Sequence, residues 1–347
     1  METLSTVLIA ILVFGTLIFI HEFGHYIFAR IFHVTITEFS IGMGPKLVWY
    51  ESKKTKITYA LSMIPIGGYV AMVGENEESS DPNSFDKKPA YQRFIITVAG
   101  ATVNIVAGFL AMIIFTCMVN IGGTTVAEFI SSDKYDVSSS ESGLMAGDTI
   151  ISVAGKRVNI ADELSYEIMR NGYKPCQVVV LRGGETVTLE NVVFPCAEEQ
   201  GQTFGVMDFK IYRTEKTFGS VLTYSFAKSI LIVRMCWESL FDLITGRYTL
   251  AAVSGPVGIS EAIGDAAKNG FSNLLYITAL ISINLGVMNL LPIPALDGGR
   301  MVTILIEMIT KKRMPTKVEG MINAIGLIAL LALSAIIMIK DVVGLFS

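Results

Sequence analysis

His21-Glu22-Phe23-Gly24-His25 is the stretch of this chain best suited to chemistry. Two histidines four residues apart lie on one face of a helix, close enough to hold one metal ion. The glutamate between them sits beside such a site without having to ligate, which leaves it free to act as a base. The surroundings sharpen this reading. From Leu4 to Ile20 no residue is charged, and the apolar run resumes at Tyr26, Ile27 and Phe28. Ionisable groups at membrane depth are costly, so they mark function by default. The competing reading is a pair of core histidines satisfied by hydrogen bonds.

A catalytic Zn2+ takes three protein ligands and leaves one position open for water. One further histidine exists, His33. Eight residues beyond His25 on a continued helix it would be rotated by about 80°. The better candidate is Asp297, in Asn289-Leu290-Leu291-Pro292-Ile293-Pro294-Ala295-Leu296-Asp297-Gly298-Gly299. Its prolines and glycines break a helix and let backbone approach a site closely. A helix stop with a capping aspartate is the alternative for Asp297. Asn289 either binds extended substrate backbone through its side-chain amide or serves as a polar helix-packing residue. Cys117, Cys176, Cys196 and Cys236 lack the paired spacing of a zinc site. In a hairpin of the expected register Cys176 faces Asn191 and not Cys196, which argues against a disulfide.

The elements that position these residues are those of a membrane protein. Of 347 residues 52% are hydrophobic and 17% charged, and mean hydropathy is +0.55; a soluble domain carries about a quarter charged residues. Nothing in the composition suggests nucleic acid. Four segments are apolar over the ~20 residues that a bilayer requires. They fall in 1–35 with the histidine motif, in 93–121, in 269–300 with Asp297, and in 321–347 with a tail. The first lacks the basic head and the cleavage site of a signal peptide, and it reads as retained.

Between the first two spans, 36–92 reads as a membrane-associated β region followed by a cytosolic loop. Leu47–Tyr50 and Ile57–Met63 form a hairpin over a basic turn, with a further run at Tyr69–Val73 and an exposed polar loop from Glu75 to Lys88. An exposed strand edge here could hold an extended peptide by strand addition. Residues 122–210 form one small soluble α+β domain, with strands at Thr149–Val153, Gln177–Leu181 and Glu185–Val193 and a helix at Asp162–Arg170. Residues 211–268 read as amphipathic interfacial helices, because Lys228, Arg234, Glu238 and Asp242 recur too often for Phe218–Ile244 to span. The basic residues after the first span (Arg30, Lys46, Lys53, Lys54, Lys56) and between the third and fourth (Arg300, Lys311, Lys312, Arg313, Lys317, mostly in the cytosolic loop 301–320) put both segments in the cytosol. Both termini and the soluble domain then lie outside it. Asp297 and the histidines share a depth at the cytosolic end of their spans.

The motifs resemble one family, the site-2 protease intramembrane zinc metalloproteases, peptidase family M50, in their bacterial branch of the regulator-of-sigma-E protease type. The matching elements are His21–His25, Ile64-Pro65-Ile66-Gly67-Gly68-Tyr69-Val70, Asn289 through Gly299, and Gly255-Pro256-Val257-Gly258-Ile259. The resemblance covers nearly the whole chain. It implies that His21, His25 and Asp297 bind zinc, that Glu22 activates water, and that the soluble insert is a single PDZ-like domain. It also implies an unwound transmembrane segment of a single-span protein as substrate, by likeness an anti-sigma factor or a signal-peptide remnant. The expected fold is thus a polytopic α-helical membrane protein with four transmembrane helices, a membrane-associated β-hairpin region and one extracytoplasmic PDZ-like α+β domain. In one place the chain departs from the pattern: the second span has Gly100-Ala101 where the family shows Gly-Pro, with Asn104 retained.

Overall fold

The computed structural model describes residues 2–75, 77–130, 137–199, 202–247 and 254–344. Residues 131–136 and 200–201 of the soluble segment, 248–253 of the interfacial segment and the tail from 345 lie outside them. The chain divides into two compact units, one of residues 1–111 with 232–347 and one of residues 112–231.

The first unit is built on apolar helices. Helix α1 (Glu2–Ile31) and helix α2 (Ala90–Met118) match the first two expected spans, while α6 (Phe271–Asn289) and α8 (Thr316–Gly344) match the last two. These four are the helices, among the described residues, that are long and apolar enough to cross a membrane. Helix α1 stops where His33 turns left-handed, at φ 54°, and the Val34 N–H reaches back to the Ala29 carbonyl over 2.8 Å. His33 is therefore part of an exposed helix stop, which removes it as a ligand. Helix α5 (Pro256–Lys268), with Pro256 in its first turn, packs Ile263 against Ala10, Val13 and Leu17 of α1. Its amino end is held by Asp341 of α8, whose carboxylate accepts from the Gly255 N–H over 2.9 Å.

After α1 the chain forms strands β1 (Ile36–Glu51) and β2 (Thr58–Met72), which pair antiparallel. The expected hairpin is present, with Tyr50 opposite Tyr59, but both strands are longer than the sequence suggested. Each bends midway, at Gly42 and Gly44 (φ 84° and 85°) and at Gly67 (φ 77°), a backbone region that favours glycine. The bends give residues 38–41 two neighbours, 58–61 on one side and 68–71 on the other. The Tyr69 run is accordingly the far end of β2 rather than a separate strand, and it forms an outer edge of this small sheet. Val34, Ile36, Phe39, Ile57 and Val70 bury themselves with Ala29 of α1 and Ile96 of α2. Phe85 joins that core, so the Glu75–Lys88 connection is anchored and not simply exposed.

Residues 301–320 are not a loop. Asp297 begins a fourteen-residue helix, α7 (Asp297–Thr310), separate from the third span. Before it the chain folds back so tightly that a Cβ on Gly299 would lie 2.5 Å from the Ile293 carbonyl oxygen. Helix α7 is then clamped by ion pairs, Arg300 with Glu75 and Arg93 of α2 with Glu307.

The second unit contains the α+β domain. Its sheet runs β10-β3-β4-β6-β7, with β5 (Lys156–Arg157) on β4. The strands are β3 (Gly122–Phe129), β4 (Thr149–Val153), β6 (Cys176–Arg182), β7 (Glu185–Val192) and β10 (Phe209–Arg213). The closing strand β10 pairs with the opening strand β3, so the boundary expected at 210 moves to Arg213. Helix α3 (Ala161–Asn171) covers the sheet through Leu164 and Ile168. A separate pair, β8 (Cys196–Glu199) and β9 (Gln202–Gly205), was not foreseen. A bulge puts Cys176 opposite Val192 instead of Asn191, and all four cysteines are free. Helix α4 (Phe218–Ile244) has the expected bounds, and Arg234 and Glu238 pair across one turn at 3.4 Å.

Candidate metal centre

Three side chains converge inside the first unit. The Nε2 atoms of His21 and His25 are 3.3 Å apart, and Asp297 Oδ2 is 3.2 Å from the first and 3.3 Å from the second. Asp297 Oδ2 is buried and makes no hydrogen bond, despite these distances. His25 Nδ1 lies 2.8 Å from the Ile96 carbonyl, which can only accept, so Nδ1 carries a proton and in the neutral ring Nε2 presents a lone pair. In that form a lone pair and a carboxylate oxygen face each other at this range, an arrangement that a cation shared by the three side chains resolves. Tetrahedral ligands at zinc distances of about 2.0–2.2 Å stand about 3.3–3.6 Å from one another. The three donors fit such an ion.

Glycine makes this convergence possible. A Cβ on Gly100 of α2 would run into His25 Nε2 and come within 2.9 Å of His21 Cε1. A Cβ on Gly24 of α1 would meet the backbone of Ala99 and Gly100 at 2.7–2.9 Å. The helices thus cross backbone to backbone at the motif, and both imidazoles lie in the space where α2 has no side chain. Asp297 arrives from the first turn of α7, not from the end of the third span.

Glu22 shares a cavity of about 370 Å³ with the three donors. One wall is Gly68–Met72, the outer edge of β2, and a Cβ on Gly68 would be 2.9 Å from Glu22 Cγ. Glu75 and Arg300 also line the cavity. Asn289 closes α6, half-buried, and is not among the residues lining this cavity. The site also includes a residue to which the sequence reading gave no role, Asn104, whose carboxamide is 3.3 Å from His21 Nδ1. A polar side chain in the middle of an apolar helix was the available signal.

The model of the family described as Peptidase family M50 matches residues 9–333. The chain belongs to that family. A Clostridium acetobutylicum protein provisionally named a zinc metalloprotease is 34% identical over 337 residues, covering 97% of each chain. A Fusobacterium nucleatum protein with the same provisional name is 33% identical over 357 residues, covering 99% of this chain and all of the relative. The regulator of sigma-W protease RasP of Bacillus subtilis is 28% identical over 425 residues, covering 99% of each chain. This M50 chain is a zinc-dependent metalloprotease, a hydrolase with apolar helices suited to a membrane.

Proposed function

We propose that this M50 protease hydrolyses peptide bonds within the transmembrane segments of single-span proteins, with anti-sigma factors or signal-peptide remnants as the substrate class. One observation carries the reading. His21, His25 and Asp297 converge next to Glu22 in a cavity framed by apolar helices of spanning length. In this reading those three residues hold the zinc, which when bound supplies a Lewis acid for water and for the scissile carbonyl. Glu22 takes the proton of the attacking water and returns it to the leaving amine. A helical segment hides its carbonyls, so the substrate must be extended to react. The outer edge of β2 at Gly68–Met72 can hold it by strand addition beside Glu22. The soluble insert is read as PDZ-like and as lying, with both termini, outside the cytosol, in a cell membrane of bacterial type.

The test is Glu22→Gln in the full-length protein with a single-span substrate in liposomes. It should keep its zinc, lose cleavage, and retain uncut substrate for identification. Turnover at the wild-type rate would refute the assignment of the base.

A further inference from the structure

Both imidazoles can offer Nε2 to one ion only if each Nδ1 carries the ring proton. For His25 the backbone arranges this through the Ile96 carbonyl at 2.8 Å. For His21 the group opposite Nδ1 is the carboxamide of Asn104, placed with Nδ2 at 3.3 Å and with Oδ1 unpartnered. Asn104 is wholly buried, two turns further along α2 than Ile96. Burying an amide is costly unless it gains a hydrogen bond. Among the described residues His21 is the one partner of this side chain, since Asn104 Oδ1 has none. Packing alone would be met by leucine, which has nearly the same shape. The backbone at this point is also fixed, because Ser282 Oγ of α6 donates to the Asn104 carbonyl over 2.8 Å.

We propose that Asn104 is a positioning residue for the metal centre: its carboxamide oxygen accepts the Nδ1–H of His21 and so commits Nε2 to the ion. The two ends of a carboxamide are isosteric, and its orientation follows from its partners. A ring that gives Nε2 to a cation leaves Nδ1 only the role of donor, so the oxygen faces it. Helix α2 would then set the tautomer and tilt of both histidines, one through a main-chain carbonyl and one through a side chain. This rests on the reading of His21 as a ligand. Outer partners of ligating histidines are worth about 10–100-fold in metal affinity.

The experiment is a zinc titration of the full-length protein in detergent, stripped of metal and competed against a chromophoric chelator. Asn104→Leu should weaken zinc binding by about 10–100-fold. Asn104→Asp keeps an acceptor at the same position and should hold the affinity within about threefold of wild type. That contrast separates positioning from packing, because both variants preserve size. Wild-type affinity in Asn104→Leu overturns the proposal. So does Asn104→Asp binding as weakly as Asn104→Leu, since the amide would then act as a donor. If Asn104→Leu does not accumulate folded, Asn104→Asp decides alone: retained affinity supports the acceptor role and lost affinity overturns it. His21→Ala is titrated in parallel. Unchanged zinc there refutes the ligand reading itself, whereas zinc lost in His21→Ala but kept in Asn104→Leu refutes only the role of Asn104.

Discussion

Gly24 of α1 and Gly100 of α2 meet without side chains: a Cβ on Gly24 would lie 2.9 Å from Gly100 Cα. Gly100→Ala should therefore damage the site while leaving the helix sound. Helix propensity alone favours alanine by about 1 kcal/mol. Its methyl group would occupy the space of His25 Nε2 and push both rings off position. A displacement of this size costs on the order of 100-fold in rate. Cleavage and zinc content measured together should both fall, with the far-ultraviolet helical signal unchanged.

Asp297→Ala should lose metal as well as activity, in contrast to Glu22→Gln. Asp297 Oδ2 is the atom that brings a negative charge to the two Nε2 atoms. Elemental analysis after passage over a weak chelating resin checks this. Full zinc occupancy in Asp297→Ala would place the third ligand elsewhere.

The basic residues around the β1–β2 hairpin and between α7 and α8 predict their side of the membrane. In a background with the four native cysteines replaced, a cysteine at exposed Lys312 should be shielded from an impermeant thiol reagent in intact cells. One at exposed Lys156, in the soluble domain, should react. The opposite labelling would reverse the orientation.

The soluble domain should loosen in acid through one carboxylate. Burial works against the Asp148 charge, but Arg182 at 2.7–2.8 Å and the Met145 N–H outweigh it and hold its pKa below the ordinary value. A depressed carboxylate pKa adds stability above the unfolded value of about 4, and that stability is lost as pH falls below it. Hydrogen exchange of β4 and β6, corrected for intrinsic rates, should speed up below about pH 4 in wild type. Asp148→Asn should exchange faster already at neutral pH. We expect a loss of about 1–3 kcal/mol, less than for a fully buried pair because Arg182 is 31% exposed.

The four helices of spanning length were legible from the chain because crossing a bilayer imposes length and composition directly, whereas α7 was not. Phe218–Ile244 was recognisable as a helix from its apolar periodicity. The early half of β1 was not. Its β-branched residues Ile36 and Thr37 follow a spanning helix without a turn signal, and pairing with 68–71 is a long-range choice. Strands β8, β9 and β10 were missed for a related reason. They are four or five residues long, and their pairing depends on where the rest of the domain places them.

By itself the sequence determined the kind of chemistry. A His-x-x-x-His pair one turn apart fixes two donors on one helix face, and a glutamate between them must stand nearby, because helical geometry alone dictates both. That Asp297 could complete the set was arguable from its type and from its estimated depth. Only the tertiary structure decided how it arrives, on the first turn of a new helix clamped by Arg300–Glu75 and Arg93–Glu307. It also decided that Asn289 is not part of the cavity wall and that Asn104 faces His21. These are separations of tens to hundreds of residues along the chain, and no local rule of propensity or period reaches that far. The approach of Asn104 to His21 depends besides on two glycines that let α1 and α2 touch, a relation that exists only once both helices are packed.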